Sequence, residues 1–83
     1  MDAVQLYNQL TQQPFQPVRV HLADGHAYEI SSREMAVVGV TYLDIGIQAP
    51  NEPEGIVATV ITVPLRDIRQ VERLPARLPP EST

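Results

Sequence analysis

The most constraining feature of the sequence is a change in the spacing of its apolar residues after Pro17. Before Pro17 they recur at helical spacing, whereas from Val18 they alternate with polar residues, as in a half-buried strand. The alternation runs through Val18–Leu22, and Asp24-Gly25 then gives a strong hairpin signal. A return strand is expected over residues 26–30. The chain is therefore predicted to be mainly β after a short helix.

The helix is predicted over residues 2–13. Asp2 is a typical N-cap, and Gln5 stands three residues later, at the second position of a capping box. Pro14 disfavours helical backbone in the residue before it, so the helix should end near residue 13. Its apolar face follows the i, i+3, i+4, i+7 pattern and comprises Ala3, Leu6, Tyr7 and Leu10.

The hairpin register can be predicted because its apolar residues should share one face. This condition favours a three-residue loop or a bulge at Gly25 over a strict two-residue turn. His21 and Glu29 would then be neighbours on the outer face. The expected apolar pairs are Leu22 with Tyr28 and Val20 with Ile30.

The remaining sequence predicts further short strands. Residues 31–35 favour a turn or a single helical turn, and residues 37–47 a strand that bends at its glycines. Residues 48–55 have loop composition throughout. Residues 56–63 are β-branched on both faces, so this strand should be covered by the barrel core on one side and by the helix or a partner subunit on the other. A turn at 65–67 precedes the last strand at 68–74.

These elements predict one small domain over residues 1–75. An N-terminal helix followed by about five short antiparallel strands, with bends and no crossover helix, is typical of a small barrel of the SH3-like or OB-like kind. Residues 76–83 are rich in proline and are expected to form a disordered tail.

Composition limits the possible functions. The sequence has no cysteine and two histidines, and its net charge is −4. Thiolate chemistry is thus excluded, and non-specific attraction to nucleic acid is disfavoured. His21 and His26 should lie on different faces of the hairpin, which argues against a metal site. No nucleophile motif or glycine-rich loop is present, so neither catalysis nor a cofactor is expected. No apolar run approaches the length of a membrane span, and we expect a cytoplasmic protein with no membrane partner.

Basic residues concentrate near the end of the chain. Arg66, Arg69 and Arg73 could contact RNA phosphates or an acidic protein, and Tyr42 is the expected exposed aromatic for stacking on a base. The alternative is a solvated face, in which nearby carboxylates neutralise these arginines. The candidate carboxylates are Glu52, Glu54, Asp67 and Glu72.

Self-association is the other expectation from the residues. The strand at 56–63 has more apolar surface than one small core needs, and exposed sheet edges favour pairing with another chain. The candidate residues for contact between copies are Val57, Val60, Ile61, Val63 and Val71.

Two segments carry a resemblance to a known family. Residues 17–25 (PVRVHLADG) and 63–71 (VPLRDIRQV) resemble the first hairpin and the last turn and strand of the bacterial Sm-like (Hfq-type) proteins. The resemblance implies a small β-barrel that binds RNA as a ring. The chain departs from the family's tyrosine-lysine-histidine RNA-binding signature, since Pro64, Leu65 and Arg66 stand there. Residues 14–25 and 28–35 also resemble a group of short uncharacterised bacterial proteins with no known activity.

The function that we predict is a non-enzymatic interaction module that self-associates. Its partners would be copies of itself and an unidentified protein or RNA. The alternative is an Sm-like RNA-binding protein that uses the arginines of the last turn and strand.

Overall fold

The computed structural model describes residues 1–53 and 55–75. This part of the chain folds into one helix, six strands and two short 3₁₀ turns. The helix α1 spans Ala3–Leu10, and the 3₁₀ turns span Arg33–Met35 and Leu65–Asp67. The strands are β1 (Val18–Leu22), β2 (Ala27–Ile30), β3 (Ala36–Val38), β4 (Tyr42–Gln48), β5 (Val57–Pro64) and β6 (Ile68–Arg73).

Helix α1 begins as the sequence predicts. Asp2 has extended backbone, and its Oδ1 accepts a hydrogen bond of 2.8 Å from the Val4 N–H. The carboxylate thereby satisfies one of the amide groups that a helix start leaves without a partner. The helix ends at Leu10, three residues before its predicted end, and Thr11 is its C-cap.

The prediction of a five-stranded barrel is wrong. The six strands form two separate three-stranded antiparallel sheets, ordered β2-β1-β6 and β3-β4-β5, and no strand pairing closes a barrel within the described residues. The 3₁₀ turn Arg33–Met35 lies between β2 and β3 and interrupts the ladder. Each sheet therefore keeps its own two edges.

The predicted strand at 37–47 is in fact two strands. The chain reverses between β3 and β4, and the Gly39 N–H donates to the Tyr42 carbonyl at 2.8 Å. The sequence predicts a bend or bulge at Gly39, whereas the structure has a complete turn there. Leu43, Ile45 and Ile47 share one face of β4, as predicted, and the first two are fully buried.

The first hairpin has the predicted loop but a shifted register. Leu22 and His26 close a three-residue loop, with Gly25 at a φ of +95°. Because the pairing is displaced by two residues, Glu29 lies opposite Arg19 rather than beside His21. The displacement keeps the apolar residues on one face. The observed apolar pairs are Val18 with Ile30 and Val20 with Tyr28.

One apolar core joins the helix and both sheets, and Phe15 packs against it from the connector after α1. Helix α1 lies beside β3, and Val57 and Val60 of β5 stay exposed. Of the two predicted covers for the second face of the strand at 56–63, the helix and a partner subunit, the helix is therefore not the one observed. The core residues are Leu6, Leu10, Val18, Val20, Ile30, Leu43, Ile45, Val63, Leu65 and Ile68.

Candidate interaction site

Strand β5 is the longest strand among the described residues, and it lies at the edge of its sheet. It pairs with β4 on one side only. None of its eight residues is charged, and most of them are exposed. An uncharged, apolar edge of this length is a surface that another chain can extend.

The predicted self-association residues divide into two groups. Val60 is 54% exposed and Val57 is 38% exposed, so both are available to a partner. Val63 is 2% exposed and belongs to the core. Ile61 and Val71 are half-buried and pack against the same core. The structure therefore leaves Val57 and Val60 as the accessible members of the set.

The backbone of β5 also has groups that are free to pair. Just beyond the strand, the Leu65 N–H donates to the Thr41 carbonyl at 3.0 Å. In an antiparallel ladder, alternate residues direct their N–H and C=O groups to the same neighbour. The backbone groups of Ile61 and Val63 therefore face β4, whereas those of Val60 and Thr62 face the open edge.

The outer face of this sheet is also largely apolar. Val57 packs so closely on Gly46 that a Cβ at that position would lie 2.8 Å from the Val57 Cγ1. Met35 contacts the same face from the 3₁₀ turn and is buried. Val37 is exposed on this face, and the Thr62 hydroxyl donates to the Asp44 carboxylate at 2.5 Å. Apolar surface thus continues from the edge of β5 onto the sheet.

The loop that leads into β5 is organised by one side chain. The Gln48 amide donates to the Ala49 and Pro53 carbonyls at 3.1 and 3.0 Å, and the Gly55 N–H donates to the Gln48 Oε1 at 3.1 Å. This amide fixes both ends of the loop. The role of Gln48 is not predicted from the sequence, because a glutamine at the start of a polar loop carries no distinguishing signal.

The arginines predicted to contact RNA lie on the last turn and strand, and the strand is irregular at Arg69. His21 pairs with Gln70 and Leu22 with Ile68, so Arg69 is the extra residue of a β-bulge. Arg66 lies in the 3₁₀ turn, and Arg73 hydrogen-bonds to Gln12. Within the described residues, neither Arg66 nor Arg69 has a carboxylate within ion-pair distance.

Tyr42 packs on the turn between β3 and β4 and is 41% exposed. Its edge position next to the turn leaves part of the ring open to solvent. Tyr7 on helix α1 is more exposed than Tyr42. Stacking on a base is therefore open to both tyrosines, whereas the sequence singled out Tyr42 alone.

The outer face of the other sheet carries a charged network. Arg19 contacts Glu29 at 2.6 Å and Glu72 at 3.9 Å, and His21 contacts Glu72 at 2.8 Å. The hydrogen bond with Glu29 raises the pKa of Arg19 further above its usual value. These pairs link β1 to both of its neighbours. Because solvent screens them, they add little to the stability of the fold.

A shallow groove of about 480 Å³ runs between helix α1 and β3, with Tyr7, Leu10 and Val37 in its lining.

In the described part of the chain, no three His, Cys, Asp or Glu side chains are placed to hold a metal ion. No helix there has the length and apolar character required to cross a membrane.

No protein-family model, curated protein or solved structure matches this chain. The similarity to the Sm-like proteins, and to the short uncharacterised bacterial proteins, stays a prediction from the sequence.

Proposed function

We propose that this protein is a non-enzymatic interaction module that associates with copies of itself through β5. One observation carries the proposal: β5 is an eight-residue edge strand without a charged side chain, and its Val57 and Val60 are exposed. The cytoplasmic location expected from the sequence is part of the proposal.

The other sheet edges support this choice by contrast. Soluble proteins protect their edges with short strands, charged residues or bulges. Strands β2 and β3 have four and three residues. Strand β6 carries Arg69, Glu72 and Arg73 and contains the bulge at Arg69. Strand β5 has a bulge only near its start, where its pairing with β4 shifts between Ile47 and Gln48. It has no charged residue along its length.

Sedimentation velocity of the full chain tests the proposal. We expect a species larger than the 9.2 kDa chain at concentrations up to about 100 µM. A dissociation constant in this range corresponds to an association free energy of about −5 kcal/mol or more favourable. Val60→Lys should weaken association at least about tenfold, because it places a charge on the pairing edge. Val4→Lys is the matched control, since Val4 is even more exposed but lies on helix α1. A wild-type chain that stays monomeric throughout this range would refute self-association.

RNA binding is the second candidate, and it is favoured because no carboxylate of the described residues lies within ion-pair distance of Arg66 or Arg69. Filter binding of single-stranded RNA at two salt concentrations tests it, since phosphate contacts make affinity fall steeply with salt. Arg66→Ala and Arg69→Ala should each flatten that dependence. Arg33→Ala removes the same charge elsewhere and should have a smaller effect. No detectable binding at low salt would remove this candidate.

A further inference from the structure

We infer that β5 pairs with β5 of a second copy, antiparallel and around a two-fold axis near Val60. This inference rests on the proposed self-association and names its partner surface. The two copies would form one continuous sheet, with β5 of each copy at its centre and β3 at its two ends. Such an interface is closed, because each copy uses the same edge once.

The choice of β5 as its own partner follows from the charges on the available edges. Pairing β5 with β6 of another copy would set an uncharged strand against three charged residues. The bulge at Arg69 would also break the new ladder near its middle. Two β5 strands avoid both problems, since neither has a charged residue.

The register follows from the two faces of the sheet. Thr59, Ile61 and Val63 point toward the core face, opposite Ile47, Ile45 and Leu43 of β4. Opposed residues of antiparallel strands lie on the same face, so core-facing residues of one copy must pair with core-facing residues of the other. Under a two-fold axis, one residue then lies opposite its own copy.

Val60 is the residue that best occupies this position. Its N–H and C=O face the open edge, so two copies of Val60 can exchange both backbone hydrogen bonds. It is also the most exposed valine of β5, and the pairing covers the two side chains with each other. Thr59 would lie opposite Ile61 of the second copy on the core face.

Disulfide trapping tests this arrangement directly, because the sequence contains no cysteine and each variant carries a single thiol. Residues opposite each other in a hydrogen-bonded antiparallel pair have Cα atoms about 5.5 Å apart, within the range that a disulfide spans. Val60→Cys should therefore form covalent dimers under mild oxidation. Val4→Cys, at a more exposed valine on helix α1, reports collisional cross-linking and should form at least about tenfold less dimer.

Two further measurements separate this inference from self-association itself. Light scattering of the wild-type chain should give twice the 9.2 kDa chain mass, and a larger assembly would overturn the two-fold arrangement while leaving self-association intact. Disulfides between Val60→Cys and Gln70→Cys chains, with none between Val60→Cys chains, would show that β5 pairs with β6 instead. A monomeric wild-type chain would defeat both the inference and the proposed function.

Discussion

The ring of Tyr42 lies directly on the Cα of Gly39, and the two residues close the turn between β3 and β4. A Cβ built on Gly39 would lie 2.3 Å from the Tyr42 Cε1, well inside the distance at which carbon atoms can approach. The Gly39 N–H also donates to the Tyr42 carbonyl at 2.8 Å. The turn therefore favours glycine at position 39, because the tyrosine ring occupies the side-chain space.

Gly39→Ala should consequently destabilise the protein by about 1 kcal/mol, at the low end of the cost of overpacking, because the partly exposed ring can swing away. The effect should depend on the ring. In a Tyr42→Ala background, the same substitution should cost little, and a double-mutant cycle by urea unfolding measures the difference. Equal costs in both backgrounds would show that the ring is not the cause.

Removing the Gln48 side chain should release the loop before β5. Gln48→Ala deletes the donor to Ala49 and Pro53 and the acceptor of the Gly55 N–H. Each such hydrogen bond contributes about 0.5–1.5 kcal/mol, so Gly55 amide exchange should accelerate by about tenfold. Hydrogen exchange measures this directly. Gln70→Ala, which removes an exposed glutamine on β6, should leave the Gly55 amide unaffected.

The buried face of β4 should dominate stability. Ile45 is fully buried in the core, so Ile45→Ala should destabilise the fold by about 2–5 kcal/mol. Val37 lies on the outer face of the neighbouring β3 and is largely exposed, and Val37→Ala should cost less than about 1 kcal/mol. Urea denaturation compares the two. Similar costs would show that Val37 is covered in solution, which pairing through β5 does not predict, because β3 lies at the opposite edge of the sheet.

Local patterns in the sequence predict much of this fold. Asp2 marks the start of the helix, Asp24-Gly25 marks the first hairpin, and Leu43 and Ile45 mark the core face of β4. Each of these signals acts over a few residues, which is why the sequence carries it. The 3₁₀ turns were also expected near their observed positions.

The features that the sequence does not predict correctly have a different physical origin. Strand-favouring residues occupy the turn between β3 and β4, namely Val40, Thr41 and Tyr42. The sequence therefore predicts one continuous strand across this turn. The bulge at Arg69 depends on pairing with β1, which lies far away in the chain. The apolar residues of β5 predict burial, yet Val57 and Val60 are exposed in a single copy of the chain. Hydropathy alone does not specify which copy of the chain covers a residue.

The hairpin turn should weaken as the pH falls, through Asp24. The His26 backbone N–H donates to the Asp24 carboxylate at 2.9 Å, and the His26 ring adds a contact at 3.0 Å. These bonds hold the pKa of Asp24 below its ordinary value of 3.8. A carboxyl group whose pKa is lower in the folded protein stabilises the fold at pH values above its unfolded-state pKa. It loses that contribution as the pH falls through its folded-state pKa. The thermal stability of the wild type should therefore fall more between about pH 6 and pH 2 than that of Asp24→Asn, whose side chain at position 24 cannot titrate. Parallel curves for the two proteins would show that the turn gains nothing from the ionised carboxylate.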